Sequence, residues 1–146
     1  SFFGIKSGGN SILADDSDNY IRGGGRNDQL IAGKGIDFVD GRGGDDVLVG
    51  GNDADRIFGA AGDDTIYTSY GAGYSGTATS GDGDFASGGS GNDRIYGAAF
   101  DEELFGGLGD DFIRGNAGED HINTGAGHDE AFGGEGNDKM YGGNTQ

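Results

Sequence analysis

One aliphatic side chain between two variable residues, followed by a glycine-rich polar stretch, returns every nine positions along most of this chain. The file runs Ile12, Ile21, Leu30, Val39, Leu48, Ile57 and Ile66, then Ile95, Leu104, Ile113, Ile122 and, past Ala131, Met140. A lone apolar position flanked by variable ones predicts a three-residue strand whose middle side chain points inward. The intervening glycines predict turns, because glycine reaches φ > 0 without steric penalty and lets the chain reverse every few residues.

Aligned on the polar residue two places before each aliphatic, the chain resolves into fourteen nine-residue units. A first block, 5–67, reads IKSGGNSIL, ADDSDNYIR, GGGRNDQLI, AGKGIDFVD, GRGGDDVLV, GGNDADRIF and GAAGDDTIY without a gap. A second block, 79–141, reads TSGDGDFAS, GGSGNDRIY, GAAFDEELF, GGLGDDFIR, GNAGEDHIN, TGAGHDEAF and GGEGNDKMY. The sixth slot is aspartate at Asp28, Asp37, Asp46, Asp55, Asp64, Asp84, Asp93, Asp111, Asp120, Asp129 and Asp138; the exceptions are Asn10, Asn19 and Glu102. The eighth slot is Leu, Ile, Val or Met except at Ala86 and Ala131.

Composition changes the picture in one direction. With 36 glycines in 146 residues, no proline and only 32% hydrophobic residues, the chain has little apolar surface to set against the entropy of ordering it. Its formal charge of −17 excludes nucleic acid, acidic membranes and polyanionic sugars as natural partners and favours cations. Each sixth-slot aspartate aims a carboxylate at a loop interior where turning backbone carbonyls converge. Oxygen ligands in a flexible loop suit Ca²⁺, and the absence of cysteine argues against zinc or copper. The two histidines, His121 and His128, occupy variable slots and read as solvated.

The units resemble the nonapeptide G-G-x-G-x-D-x-U-x of RTX, or haemolysin-type, calcium-binding repeats, over about 126 of 146 residues. Units 88–96, 106–114 and 133–141 match every defined position. The resemblance implies an all-β, right-handed parallel β-roll (a β-solenoid), two nonapeptides to a coil, with calcium between loops stacked along each side. It implies as ligands the eleven sixth-slot aspartates named above, with backbone carbonyls of loop residues such as Gly35, Gly44, Gly62, Gly91, Gly109, Gly118, Gly127 and Gly136. About six to eight Ca²⁺ ions are expected in all.

If alternate units stack, each site draws on residues eighteen apart: Asp28–Asp46, Asp46–Asp64, Asp37–Asp55, Asp93–Asp111, Asp111–Asp129 and Asp120–Asp138. Six divalent ions there would reduce the charge from −17 to about −5. Without metal, carboxylates stacked about 5 Å apart repel along the whole column. One aliphatic residue per nonapeptide does not outweigh that repulsion and the chain entropy. The sequence therefore predicts a chain that is unfolded without calcium and folds on binding it, with dissociation constants of roughly 10⁻⁴ to 10⁻³ M for an extracellular module. In the family that property is tied to type I secretion, so a secreted or cell-surface location is expected. Parents in the family include toxins, secreted proteases, lipases, polysaccharide epimerases and adhesins, to any of which this module would be an accessory domain.

Departures mark weak places. Asn10 and Asn19 read as a cap on the first coil, Glu102 follows GAAF rather than GGxG, and Arg26 stands where glycine is usual. Between the blocks, a protruding loop of about eleven residues, 68–78, is expected, with a kink or register shift where the roll resumes. It reads as a tolerated insertion or as a recognition loop using Tyr70 and Tyr74. Leu13, Ile31, Val49 and Tyr67 form an apolar stripe expected to face outward and pack on a neighbouring domain or a second copy. The exposed aromatic faces, with that loop, keep an adhesive or carbohydrate-binding module as the alternative function.

No enzyme is expected. GAGYSG (71–76) fits G-x-G-x-x-G but lacks the flanking strand and helix pattern, and the abundant carboxylates fall on the repeat period rather than in a glycosidase pair. No apolar run approaches the roughly 20 residues of a membrane span, and the N-terminus SFFGIK lacks the zones of a signal peptide. The chain begins without Met and stops within GGNTQ as another repeat starts, so residues 1–146 are read as one module cut from a longer protein.

Overall fold

The computed structural model describes residues 1–4, 9–70 and 83–143. Among these, the first eight strands are β1 (Phe2–Gly4), β2 (Ser11–Leu13), β3 (Tyr20–Arg22), β4 (Gln29–Lys34), β5 (Phe38–Gly43), β6 (Val47–Asn52), β7 (Arg56–Ala61) and β8 (Thr65–Tyr67). Seven more follow: β9 (Phe85–Ser90), β10 (Arg94–Tyr96), β11 (Glu103–Leu108), β12 (Phe112–Ala117), β13 (His121–Ala126), β14 (Glu130–Glu135) and β15 (Lys139–Tyr141). No helix occurs among the described residues.

Odd-numbered strands form one parallel sheet and even-numbered strands the other. Residues pair eighteen apart, as in Ile21↔Val39↔Ile57 and Leu30↔Leu48↔Ile66, so two nonapeptides make one coil of a β-solenoid. Most strands run six residues rather than three. They continue through the glycine pair, with Gly33 opposite Gly51 and Lys34 opposite Asn52, which leaves only slots 4 to 6 as loop. A glycine can stay in a parallel ladder while taking φ > 0, so the pair is strand and turn at once.

Across the insertion, β7 pairs with β9 and β8 with β10, giving Ile57↔Ala86 and Ile66↔Ile95. These partners stand 29 apart, the normal eighteen plus eleven. The pairing continues from one block to the next in register, without the expected shift. Thr68 keeps the ladder going on the near side, accepting from the Gly51 N–H and donating to the Tyr96 carbonyl. From residue 71 the predicted loop, with Tyr74 and the GAGYSG stretch, lies outside the described residues.

The core is the eighth-slot file. Ile21, Leu30, Val39, Leu48, Ile57, Ile66, Ala86, Ile95, Leu104, Ile113 and Ile122 are fully buried, one from each of eleven successive nonapeptides and alternating between the two sheets, whereas Ile12 and Ala131 are partly buried and Met140 at the last coil is exposed. Outside, aromatic rings climb both sheets. On the odd sheet Tyr20, Phe38, Phe58, Phe85, Phe105, His121 and Tyr141 form one continuous stack with centroids 4.8, 5.3, 5.4, 5.3, 6.3 and 5.2 Å apart. On the even sheet Tyr67, Tyr96, Phe112 and Phe132 follow at 5.1, 5.8 and 5.9 Å. Leu13, Ile31, Val49 and Tyr67 do stand in register on the even sheet. Leu13 is 75% exposed, whereas Val49 is fully buried although its slot faces outward, so the stripe is not uniformly accessible.

Candidate metal centre

Every described sixth-slot residue ends a short loop just before a strand and stacks on its counterpart in the adjoining coil, 18 residues away, or 29 across the insertion. One carboxylate oxygen is committed to that stacking. Asp46 Oδ1 accepts the Asp28 N–H at 2.7 Å, Asp64 Oδ1 the Asp46 N–H at 2.8 Å, and Asp55 Oδ1 the Asp37 N–H at 2.9 Å. Beyond the insertion the same bond joins Asp93 to Asp111 at 2.9 Å, Asp111 to Asp129 at 3.1 Å, and Asp120 to Asp138 at 3.1 Å. All six predicted pairs are therefore adjacent. The structure adds Asp55–Asp84 at 2.7 Å and Asp64–Asp93 at 2.8 Å, which the eighteen-residue count missed because the insertion lies between them.

The second carboxylate oxygen is different. Oδ2 of Asp37, Asp46, Asp55, Asp64, Asp93, Asp111 and Asp120 is buried and has no hydrogen-bond partner. These residues are at most 2% exposed. In most of these loops Oδ2 lies against the first-slot residue. At Gly41, Gly50, Gly59, Gly88, Gly106 and Gly115 a Cβ would collide with it, which is why glycine recurs there. An unpartnered buried acceptor costs roughly 1–3 kcal/mol, and more when charged. Seven of them stand in two files, and Asn19 Oδ1 and Glu102 Oε1 in the same slot are buried without a partner as well.

Their acidity reports the same cost. Burial pushes Asp37, Asp46, Asp84 and Asp111 up to about 6, Asp64 to about 7 and Asp55 to about 9, and neighbouring carboxylates add to the rise for most of them. Glu102 is pushed up to about 8 by burial, with Asp120 and Asp84 adding charge repulsion. Asp93 and Asp120 are raised by burial as well.

Backbone oxygens complete the donor set. Carbonyls of slots 2 and 4 point at the same slots of the next coil: a Cβ at Gly51 would strike the Gly33 carbonyl, and one at Gly62 the Gly44 carbonyl. The fourth-slot residues Gly35, Gly44, Gly62, Gly91, Gly109, Gly118, Gly127 and Gly136 all take φ between 98° and 152°, the left-handed region that turns their carbonyls. Asn19 shows that the sixth-slot side chain reaches those carbonyls, since its Nδ2 donates to the Asp15 carbonyl at 3.0 Å and to the Ser17 carbonyl. An ionised aspartate in that place has no hydrogen to offer; a proton on the carboxylate or a bound cation would take the amide's part. Among the described residues no three His, Cys, Asp or Glu side chains converge. A bound ion would thus meet one or two carboxylates and otherwise carbonyl oxygens, a hard donor set of the kind Ca²⁺ accepts.

Four predicted residues stand apart. Asp84 is buried but is not among the seven. Asp28 Oδ2 accepts the Gly24 N–H at 2.6 Å, and Asp129 and Asp138, on the last described coil, are only partly buried. Asn10 uses a donor that aspartate lacks, giving Nδ2–H to Asp28 Oδ1 at 2.9 Å.

Sequence reasoning missed a second file one residue earlier, running in the opposite sense. Asn27 Oδ1 accepts the Asp45 N–H at 3.0 Å, Asp45 the Asp63 N–H at 3.1 Å, Asp63 the Asn92 N–H at 2.8 Å, and Asn92 the Asp110 N–H at 2.8 Å. Asp110 then accepts from His128 N–H at 2.9 Å. Its signal was the return of Asn or Asp at the fifth slot of alternate units. Each loop is thereby tied to the coil before it and the coil after it.

A family model for the RTX calcium-binding nonapeptide repeat (4 copies) matches residues 6–39, 22–57, 40–72, 79–99, 96–131 and 120–144. It identifies a calcium-binding repeat domain and no catalytic domain. No curated protein matches the chain.

Proposed function

The chain belongs to the RTX calcium-binding nonapeptide repeat family, and from that membership we propose that it is a folding switch driven by several Ca²⁺ ions held between stacked loops. The observation that carries this reading is the double file of buried Oδ2 atoms without a hydrogen-bond partner. Asp46, Asp64, Asp93, Asp111 and Asp129 would hold ions on one flank, and Asp37, Asp55, Asp84, Asp120 and Asp138 on the other. Carbonyls such as those of Gly44, Gly62 and Gly109 supply the remaining oxygens. When bound, Ca²⁺ supplies the positive charge that lets these buried carboxylates stay ionised at neutral pH. The residues for their part fix the spacing: Oδ1 holds the coils in register, and the first-slot glycine leaves room beside Oδ2.

The module acts as a non-enzymatic scaffold in a secreted protein. RTX repeats are typical of extracellular proteins exported by type I secretion, and a chain that stays loose at low cytosolic calcium suits that route. Neighbouring domains of the parent protein are the natural partners. The aromatic files give an adhesive role no direct support, because most of their rings contact one another along the sheets and, among the described residues, only Phe132 and Tyr141 are exposed. Isothermal titration with CaCl₂, with MgCl₂ as control, tests the reading. Heat of binding for several Ca²⁺ per chain, with none for Mg²⁺, is expected, whereas no calcium binding would refute it.

A further inference from the structure

The twelve loops that lie wholly among the described residues fall into two conformations. Nine of them, 32–37, 41–46, 50–55, 59–64, 88–93, 106–111, 115–120, 124–129 and 133–138, have left-handed backbone at both slot 2 and slot 4. Three others, 14–19, 23–28 and 97–102, have it at neither. In each of these three a donor of the loop itself bonds within the loop. Asn19 Nδ2 donates to its own loop's carbonyls, the Gly24 N–H donates to Asp28 Oδ2 at 2.6 Å, and the Ala98 N–H donates to Glu102 Oε2 at 3.1 Å. Asn19 Oδ1 and Glu102 Oε1 stay buried without a partner, so it is the backbone of slots 2 and 4, not an orphaned oxygen, that separates the two kinds. The strands entering them, β2, β3 and β10, stop after three residues because the second-slot peptide has turned inward.

Slot 4 separates the two kinds. In the nine open loops it is glycine, or in one case Asp53 at φ 75°; in the closed loops it is Ser17, Arg26 or Phe100. Slot 2 is less strict, since Arg42, Ala60 and Asn116 take positive φ there. Aspartate is among the few L-residues that visit this region routinely, whereas arginine and phenylalanine are not.

Resting on the calcium reading above, we infer that ions enter only between two consecutive open loops and that loops 14–19, 23–28 and 97–102 stay metal-free. Calcium is then distributed unevenly over the roll. On the flank leading into the even sheet, loops 41–46, 59–64, 88–93, 106–111 and 124–129 follow one another without a break, spanning the insertion. On the other flank the open loops pair as 32–37 with 50–55 and 115–120 with 133–138; between those pairs stand the closed loop 97–102 and loop 79–84, which begins outside the described residues. Asp28, despite its aspartate signature, is not a ligand, and Arg26 is the residue that keeps its loop shut.

Equilibrium dialysis against CaCl₂, with bound calcium counted by atomic absorption, decides this, and circular dichroism of the same samples confirms that each variant is folded. Arg26→Gly should bind one calcium more per chain than the natural protein, because loop 23–28 then opens beneath 41–46. Asp28→Asn should leave the count unchanged, and Asp64→Asn should lower it. An Asp28→Asn protein that loses calcium, or an Arg26→Gly protein that gains none, overturns the inference while calcium binding itself stands. A natural protein that takes up no calcium refutes the underlying reading instead. If Asp64→Asn does not fold, the calcium counts of Asp28→Asn and Arg26→Gly still separate the two outcomes.

Discussion

Ala60 and Gly109 face the same steric problem with different side chains. Ala60 holds φ at 85° in a slot where glycine is usual, a conformation that costs an L-residue roughly 1–2 kcal/mol. Replacing it by glycine removes that strain but adds about 0.5–1 kcal/mol of backbone entropy. Ala60→Gly is therefore expected to raise the thermal midpoint of the calcium-loaded protein slightly, and a lower midpoint would contradict the strain assigned to slot 2. Gly109→Ala should do the opposite. Its φ of 124° is outside the reach of alanine, and the new methyl would run into the Gly91 carbonyl. A loss of at least about 2 kcal/mol is expected in calcium-loaded denaturant melts, and an unchanged midpoint would show that the coils have slack between them. Most glycine slots were legible in the sequence because glycine alone takes φ > 0 without a steric penalty. The exceptions at Arg42, Ala60 and Asn116 were not, since nothing local says which non-glycine will be forced into φ > 0.

A strand here has one inward residue and little else to hold it. Ile57 is fully buried between Val39 and Ala86, so Ile57→Ala should cost about 2–5 kcal/mol, because neighbouring coils fixed by the carboxylate ladder collapse poorly into the void. Calcium-loaded unfolding would check it; a cost under about 1 kcal/mol would mean the core is not what aligns the coils. The inward file could be read directly, since its period of nine never slips within a block. The outer aromatic file could not. It moves between slots 7 and 9, from Phe38 to Phe58 to Phe85, so no single register of the sequence contains it, and only the parallel pairing puts the rings in contact. Strand length was also hidden, because a glycine pair reads as a turn even where its peptides remain in the ladder. The insertion behaved as its length required: eleven residues left the register intact, which makes Asp55–Asp84 and Asp64–Asp93 neighbours.

At the scale of the whole molecule, charge decides. Burial raises Asp37, Asp46 and Asp111 to about 6, Asp64 to about 7 and Asp55 to about 9 in the folded state, against about 3.9 in an unfolded chain. The folded state thus holds more protons than the unfolded one between those values, so metal-free stability is greatest below about pH 4 and falls as pH rises through 6 to 9. Acidifying the chelated protein toward pH 4 should recover β-structure that is absent at pH 7.5, while the same acidification weakens calcium binding by competition. A chelated chain that is no more ordered at pH 4 than at pH 7.5 would remove burial of carboxylates as the obstacle to folding.

The most direct measurement is far-UV circular dichroism of the chelated protein at pH 7.5 during a calcium titration, with magnesium in parallel. The chain should be largely disordered in chelator and gain β-structure cooperatively as calcium rises, with no change in magnesium. Full β-structure in chelator would contradict the calcium-driven switch: the core and aromatic files would then hold the roll unaided, and the buried Oδ2 atoms would need no cation.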